Sequence, residues 1–313
     1  AESDWLEGFA LYSALKASFG RVAWTDWPEP LRQREPGALA QAVNDLDVEL
    51  EQVRFEQFLL REQWDEVRAT ARRLNIRIVG DLPIFVAHDS ADVWCERGLF
   101  RLNDDGSPSV VAGVPPDYFS ETGQLWGNPL YAWDVHRSDG FSWWRKRLRK
   151  ILNWVDVVRI DHFRGFEACW EILGGAETAE DGRWIAAPGR EVFNLFVEDW
   201  GLPLPVIAED LGVITDGVIA LRDDFQLPGI RIEQFAFGSD EMKKTFLPEV
   251  YDEHCIAYTG THDNDTVVGW FNSDQAQLDQ PGWHMWLRLL RQPRQAGPAN
   301  RANTARPAQL ARP

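Results

Sequence analysis

The pattern of hydrophobic residues changes along the chain from a helical period to short continuous runs. Near-helical spacing of aromatic residues predicts an amphipathic helix at the N-terminus, and the same spacing over residues 38–74 predicts one or two further helices. Residues 76–86, IRIVGDLPIFV, form an apolar β-branched run that is typical of a buried strand. The aromatic residues of the first helix are Trp5, Phe9, Tyr12 and Phe19.

Residues 88–140 show no clear period and are predicted to form a long irregular insertion. The sequence NDDG at 103–106 offers a hairpin turn between short strand-like runs. Long loops in compact domains are usually functional, and this one combines a rigid pair of prolines with glycines and aromatics, so it is predicted to be a lid. The alternative is that the aromatics pack the loop onto the body. They are Tyr118, Phe119 and Trp126.

From residue 141 onward, helical and strand patterns alternate, and this alternation sets the predicted fold class. Counted from residue 42, the chain holds five helix–strand units. Such a series is typical of an α/β fold with a parallel sheet and right-handed crossovers, either doubly wound or closed into a barrel. The helices are predicted at 141–154, 190–201, 215–225 and 240–253, and the strands at the start of 157–166 and 206–212, over 229–237 and at the start of 255–265.

Four of the predicted strands end in an acidic residue, and this favours the barrel. A doubly wound sheet gathers its site at one switch point, whereas every strand of a barrel ends at the same mouth. No glycine-rich phosphate motif of the GxGxxG or Walker type follows these strands. The acids are Asp81, Asp161, Glu209 and Asp263.

Charge and composition exclude several classes of partner. A formal charge of -17 over 313 residues argues against nucleic acid and against an anionic membrane surface, so we expect a neutral ligand. Sixteen tryptophans suit a ligand with flat apolar faces and many hydroxyls, such as a sugar. Cys95, Cys169 and Cys255 are too widely spaced for a disulfide framework or a metal motif, which favours a cytoplasmic protein. No targeting signal or membrane-spanning stretch is visible.

Several carboxyl groups at one mouth point to cleavage of a glycosidic bond, in which one carboxyl attacks the anomeric carbon while another shuttles the proton. Arg159 lies two residues before Asp161, on the same face of the strand, and should keep that carboxyl ionised, as a nucleophile requires. Glu209 follows an apolar run close to other carboxylates, so its pKa should be raised, as an acid/base catalyst requires.

The same residues also have structural interpretations. Asp161 could cap the next element or simply pair with an arginine, and Asp263 could be a helix N-cap. A divalent metal site is the chemical alternative. His162 and His262 adjoin the acids but lack the spacing of an HExxH-type site, so we expect no metal.

Five motifs in a fixed order resemble one enzyme family over residues 1–272. These motifs are GDLPIFV, PPDYFSETGQLWGNP, VVRIDHFRG, VIAEDLG and YTGTHDND, and the resemblance is to the 4-α-glucanotransferases called amylomaltases or disproportionating enzymes, relatives of the α-amylases. It implies a (β/α)8 TIM-type barrel with insertions. It also implies that Asp161 is the nucleophile, Glu209 the general acid/base, and Asp263 a third carboxylate that holds sugar hydroxyls.

The resemblance further implies a transfer of α-1,4-glucan segments between chains or onto glucose, with retention of configuration and without a cofactor. The expected partners are maltose, maltotriose, maltodextrins, amylose and glucose. The lid would favour a sugar acceptor over water. The implied substrate-binding residues are Asp81, Tyr118, Phe119, Trp126, Arg159, His162, His262 and Asn264.

Relative to the family, this chain lacks an N-terminal segment and the segment that carries the eighth strand. We expect residues 1–285 to form an incomplete barrel of roughly strands 3 to 7, in which the three carboxyls still converge but activity or stability is low. Residues 286–313 carry six arginines and no acid, and are predicted to be a disordered or aberrant tail; the alternative is a genuine basic extension.

Two other functions use the same residues. A retaining α-glucan hydrolase would differ only in admitting water, so free reducing ends would rise under hydrolysis and stay constant under transfer. A non-catalytic glucan-binding protein would keep the aromatics, and its Asp161→Ala variant would lose nothing.

Overall fold

The computed structural model describes residues 3–116, 120–238 and 240–272. The chain divides into two compact units, which are described separately below. The first comprises residues 1–230 and 254–256, and the second comprises residues 231–253 and those after residue 256.

Helices dominate the first part of the chain, as its periodicity predicts. The helices are α1 (Ser3–Ser18), α2 (Glu29–Arg32), α3 (Pro36–Asp45), α4 (Asp47–Arg73), α5 (Ala91–Cys95), α6 (Trp133–Ser138), α7 (Ser142–Leu152), α8 (Gly189–Trp200), α9 (Asp216–Asp224), α10 (Asp240–Phe246) and α11 (Val267–Asn272). Within the described ranges, no helix combines the length and the apolar content that crossing a membrane requires.

The strands fall into three sheets: a parallel one of three strands, an antiparallel one of four and a pair. They are β1 (Val79–Pro83), β2 (Val110–Val114), β3 (Gln124–Pro129), β4 (Val157–Asp161), β5 (Ala168–Leu173), β6 (Gly182–Ala186), β7 (Val206–Ala208), β8 (Gly229–Ile232) and β9 (Cys255–Tyr258).

The parallel sheet has the order β1-β4-β7, and its register pairs charged residues across neighbouring strands. Asp81 lies opposite Arg159, and Ile160 lies opposite Ala208. Because side chains alternate across a strand, Val158 and Ile160 point into the helix-covered core and are almost fully buried. Arg159 and Asp161 therefore share the opposite face.

The face that carries Arg159 and Asp161 is apolar near the N-terminal ends of the strands and charged near their C-terminal ends. A cavity of about 410 Å³ lies at the N-terminal ends of the three strands, and its lining includes Val79, Val157 and Ile207. Charged residues of the same face lie toward the C-terminal ends, where Arg159 pairs with its neighbours. This layering is typical of a sheet whose site is at its carboxyl edge.

An antiparallel sheet of order β3-β2-β5-β6 interrupts the predicted alternation of helices and strands, because β5 and β6 follow β4 without a helix between them that the pattern predicted. The predicted irregular lid contains two of its strands, β2 and β3. Charged residues hide the other two strands, β5 and β6, from an apolar pattern. The buried Glu171 of β5, for example, is held by Arg101 and by Arg183, whose Nη2 lies 2.6 Å from its Oε1.

Two predicted boundaries in the second unit were also wrong. The strand predicted over residues 229–237 ends at Ile232 and continues as a 3-10 helix over Glu233–Phe237. The helix predicted to reach residue 253 ends at Phe246 and is followed by a short 3-10 helix, Pro248–Val250. Pro248 explains this end, because a proline in a helix interior lacks the amide hydrogen and clashes with the preceding turn.

Gly189 begins α8 against the backbone that follows β4, and its substitution tests that packing. A Cβ at this position would lie 2.2 Å from the carbonyl oxygen of Phe166. We expect Gly189→Ala to lower the free energy of unfolding by about 1–3 kcal/mol, measured by urea denaturation. Gly37→Ala in α3, where a Cβ meets no atom within 4 Å, is the matched control. It should be neutral or stabilising by up to about 1 kcal/mol.

Candidate active site

Asp161 and Glu209 occupy the ends of neighbouring parallel strands. Asp161 is the last residue of β4, and Glu209 directly follows β7. Beyond the strands the ladder continues, because the Glu209 amide donates to the Ile160 carbonyl at 3.0 Å and the Phe163 amide donates to the Glu209 carbonyl at 3.1 Å. The two carboxyl-bearing segments are therefore held side by side by backbone hydrogen bonds.

Arg159 links two of the predicted site residues. Its Nε and Nη2 donate to the two carboxylate oxygens of Asp81 at 2.8 and 2.9 Å, which is a bidentate ion pair. Nη2 also donates to Oδ1 of Asp161 at 2.9 Å. This is the contact that the two-residue spacing predicts, and it leaves Asp161 beside a permanent positive charge. The structural interpretation of Asp161 as the partner of an arginine is thus correct as well.

Glu209 lies in a different electrostatic environment. Its Oε2 accepts the backbone amide of His162 at 2.7 Å, and Oε1 accepts the amide of Leu211 at 3.2 Å. Burial and, next, the charge of Asp161 raise its pKa from 4.5 to about 7, against the opposing effect of these hydrogen bonds and of Arg159. The direction agrees with the sequence prediction. At neutral pH a large fraction of Glu209 therefore carries a proton that it can donate.

His162 contributes through its backbone, which the sequence did not reveal. Its positive φ of 52° turns the chain so that the amide points at Glu209. The imidazole packs edge-on against Trp126, with ring centroids 4.7 Å apart, and also approaches Phe85. Burial, with a smaller effect of Arg164, lowers the pKa of His162 to about 3, so the ring is neutral throughout the physiological range.

Trp126 lies on β3 at the edge of this cluster. Its side chain is partly exposed, and its indole nitrogen donates to Gln124 at 3.0 Å. A half-exposed indole on a polar surface is suited to contact with the apolar face of a sugar ring. The other predicted lid aromatics, Tyr118 and Phe119, lie outside the described residues.

Asp210 is a site-supporting residue that the sequence analysis missed. Its buried carboxylate accepts from Nη1 of Arg222 at 2.6 Å and from the Ile230 amide at 2.7 Å. Gly229 makes room for this carboxylate, since a Cβ there would lie 2.5 Å from Oδ2. The sequence feature that could have revealed Asp210 is the second acid of the Glu209–Asp210 pair. A charge that directly follows a buried strand requires a partner.

The remaining predicted residues belong to the second unit. Oδ1 of Asn264 accepts the backbone amide and the hydroxyl of Thr261, both at 3.0 Å, while Nε2 of His262 lies 3.5 Å from Oδ1 of Asp263. The helix N-cap interpretation of Asp263 was wrong: α11 begins at Val267, and the hydroxyl of Thr266 accepts the amide of Gly269. The convergence of Asp263 with Asp161 and Glu209 stays a prediction.

Neither a disulfide bond nor a metal-binding group of residues is found in the described part of the chain. Cys95, Cys169 and Cys255 are not joined to one another by disulfide bonds. In the part of the chain that the structure describes, no three His, Cys, Asp or Glu residues are grouped so as to hold a metal ion.

The raised pKa of Glu209 predicts a pH-dependent stability. An acid whose pKa is higher in the folded state favours folding at low pH, and this contribution is lost as pH rises from 4.5 through about 7. Between pH 5 and 8, the wild-type chain should lose about 3 kcal/mol more stability than Glu209→Gln, measured by urea denaturation. Glu62→Gln replaces an exposed residue on α4, and its stability should change with pH as that of the wild type does. Equal slopes for wild type and Glu209→Gln would contradict the assignment.

Comparison with known proteins places the chain in one family. The family model described as 4-alpha-glucanotransferase matches residues 1–309. A 4-alpha-glucanotransferase of Thermus thermophilus is 54% identical over 274 residues, which are 87% of this chain and 54% of the relative. One of Synechocystis is 49% identical, covering 90% of this chain and 55% of the relative. The chain thus spans about half the length of the curated relatives it matches.

A solved structure gives the same result. The amylomaltase from Streptococcus agalactiae, in complex with acarbose, matches with a TM-score of 0.85 and 39% identity over 93% of this chain and 59% of that chain. It has the mixed α/β architecture described above. The sequence motifs, the arrangement at the strand ends and the family match therefore agree, and the chain belongs to the 4-alpha-glucanotransferase family.

Proposed function

We propose that this chain carries the catalytic residues of a retaining 4-α-glucanotransferase. The observation that carries the proposal is the contrast between two carboxyls at adjacent strand ends. Asp161 is paired with Arg159, whereas Glu209 is buried and has a pKa of about 7. A nucleophile must be ionised and a general acid must be protonated, and these two environments meet both requirements at neutral pH.

In the first half of the proposed reaction, Asp161 attacks the anomeric carbon of the donor glucan. Glu209 donates its proton to the glycosidic oxygen, so the leaving segment departs as a neutral alcohol and a β-glucosyl-enzyme forms on Asp161. Arg159 aligns the attacking carboxylate, because its guanidinium occupies Oδ1. Double displacement requires the two carboxyls to be about 5–5.5 Å apart.

In the second half, the deprotonated Glu209 removes the proton from the 4-hydroxyl of an acceptor sugar. That oxygen attacks the anomeric carbon and releases Asp161, so two inversions give net retention. The hydrogen bonds from the amides of His162 and Leu211 stabilise the carboxylate form of Glu209 between the two halves. This environment supports both roles of the same residue, because a pKa near 7 leaves either form accessible.

The substrates we propose are α-1,4-glucans such as maltotriose, maltodextrins and amylose, with maltose or glucose as acceptor. The acarbose complex of the Streptococcus agalactiae amylomaltase supports a sugar-sized site of this kind. Trp126 and Asp81 are the proposed ring and hydroxyl contacts of the first unit, whereas His262 and Asn264 are those of the second. Tyr118 and Phe119 would shield the glucosyl-enzyme from water, and Asp263 would hold sugar hydroxyls in the transition state.

We also propose that the complete domain is a (β/α)8 barrel with the antiparallel sheet as an insertion. Three parallel strands, two of which have an acid at the carboxyl end, support this, and so does the solved amylomaltase neighbour. A cytoplasmic location is proposed because disulfide bonds do not join the three cysteines.

Incubation of the full chain with maltotriose tests the transferase activity. We expect glucose and longer maltodextrins to appear, at a lower rate than for a full-length relative, while the number of free reducing ends stays constant. Asp161→Ala and Glu209→Gln should each reduce product formation by roughly 10³-fold or more. Chromatography of the products and a reducing-end assay measure both quantities.

Asp134→Asn, a change of a fully exposed carboxyl on α6, is the matched control and should retain activity. A steady rise in reducing ends would identify a hydrolase instead. No turnover by the wild-type chain, together with calorimetric binding of acarbose that Asp161→Ala leaves intact, would identify a glucan-binding protein.

A further inference from the structure

Arg164 is a buried cation that contacts the loop beginning with Glu209. It lies in the 3-10 helix Phe163–Phe166 that follows β4, and only 4% of it is exposed. Burial lowers the pKa of its guanidinium. A buried arginine is costly unless its contacts compensate, so its partners indicate what the position contributes.

The guanidinium joins two segments that are distant in sequence. Nη1 donates to the carbonyl oxygen of Val213 at 2.5 Å, in the loop that begins with Glu209. The guanidinium also lies over the indole of Trp184 on β6, with 3.7 Å between Cζ and the ring centroid. Its ion pair with Glu167 is long, at 3.8 Å. The short polar contact therefore goes to the Glu209 loop, and the aromatic contact goes to the antiparallel sheet.

The Glu209 loop, residues 209–213, is held at both ends. Near its start, Asp210 is fixed by Arg222 and by the Ile230 amide. At its end, the Val213 carbonyl is fixed by Arg164. Between these anchors, the Leu211 amide donates to the Glu209 side chain, so movement of the loop would move a hydrogen-bond donor of the acid/base carboxyl.

We propose that Arg164, held by Trp184, is a positioning residue for Glu209: it fixes the Glu209 loop through the Val213 carbonyl and so keeps the carboxyl dry and aligned. Arg164 makes no contact with the reacting groups in this role. The inference rests on the proposed function for its effect on catalysis, but its effect on the carboxyl itself does not require turnover. It also gives the β5–β6 hairpin a function, since that hairpin supplies the indole.

The direction in which the pKa of Glu209 shifts in a variant distinguishes loss of charge from loss of positioning. Asp161 raises the pKa of Glu209, Arg159 lowers it, and the adjacent His162 imidazole is neutral. Removal of a positive charge at Arg164 by itself can only raise the pKa of a carboxyl. Loss of positioning would instead admit water and lower the pKa toward 4.5, because burial is the main cause of its elevation.

Trp184→Ala in the full chain is the primary test, because it removes the indole and retains the charge of Arg164. We expect the pKa of the Glu209 carboxyl to fall by about one unit or more, measured by 13C NMR titration with the signal assigned from Glu209→Gln. The Leu211 amide should exchange faster with solvent. Where turnover is measured, kcat should fall by about 10–100-fold with little change in KM.

Three further variants separate positioning from general damage. Trp184→Phe keeps an aromatic face and should restore the wild-type pKa. Arg164→Met also removes a positive charge, so it should lower the pKa by less than Trp184→Ala but should speed exchange of the Leu211 amide as much. Trp200→Ala removes an indole that covers Arg149 at 5.7 Å, away from the strand ends, and should leave the pKa of Glu209 unchanged. A folded Trp184→Ala chain with an unchanged or raised pKa would overturn the proposal. An inactive wild-type chain whose Glu209 titrates as expected would contradict only the proposed function.

Discussion

The parallel register of β1, β4 and β7 is the constraint on which the site depends. It sets Asp81 beside Arg159 and continues past the strand ends, where the Glu209 amide bonds to Ile160 and the Phe163 amide bonds to Glu209. Backbone hydrogen bonds are directional and closely spaced, so this pairing fixes the heights of the acidic side chains before any contact between side chains forms. A shift of one residue would move them all to the helix-covered face.

Given that register, the electrostatics follow from what surrounds each carboxyl. Arg159 is shared between Asp81 and Asp161, and its guanidinium carries a permanent positive charge. Glu209 accepts hydrogen bonds from the backbone amides of His162 and Leu211, and burial is the main cause of its raised pKa. Two chemically similar residues on neighbouring strands of the same sheet thus lie in different electrostatic environments.

The antiparallel sheet supports this arrangement from one side. β3 supplies Trp126, which packs on His162, and β6 supplies Trp184, which packs on Arg164. Both contacts reach the turn that follows β4, whose backbone is held in a left-handed conformation at His162. An insertion between strands of the parallel sheet therefore shapes the turn that presents an amide to Glu209.

The sequence by itself determined the helices of the first part of the chain, the acids at the ends of β4 and β7, the pairing of Arg159 with Asp161 and the family. These features depend on local periodicity and short spacings, which a sequence displays directly. The prediction of an acid at a strand end was wrong for Asp81, which lies in the middle of β1, and for Asp263, which lies beyond the end of β9. The sequence did not determine the antiparallel sheet, the end of the strand at Ile232, or the Asp210–Arg222 and Arg164–Val213 contacts. Those depend on residues that are distant along the chain and on how much water each site retains, so only the tertiary structure decided them.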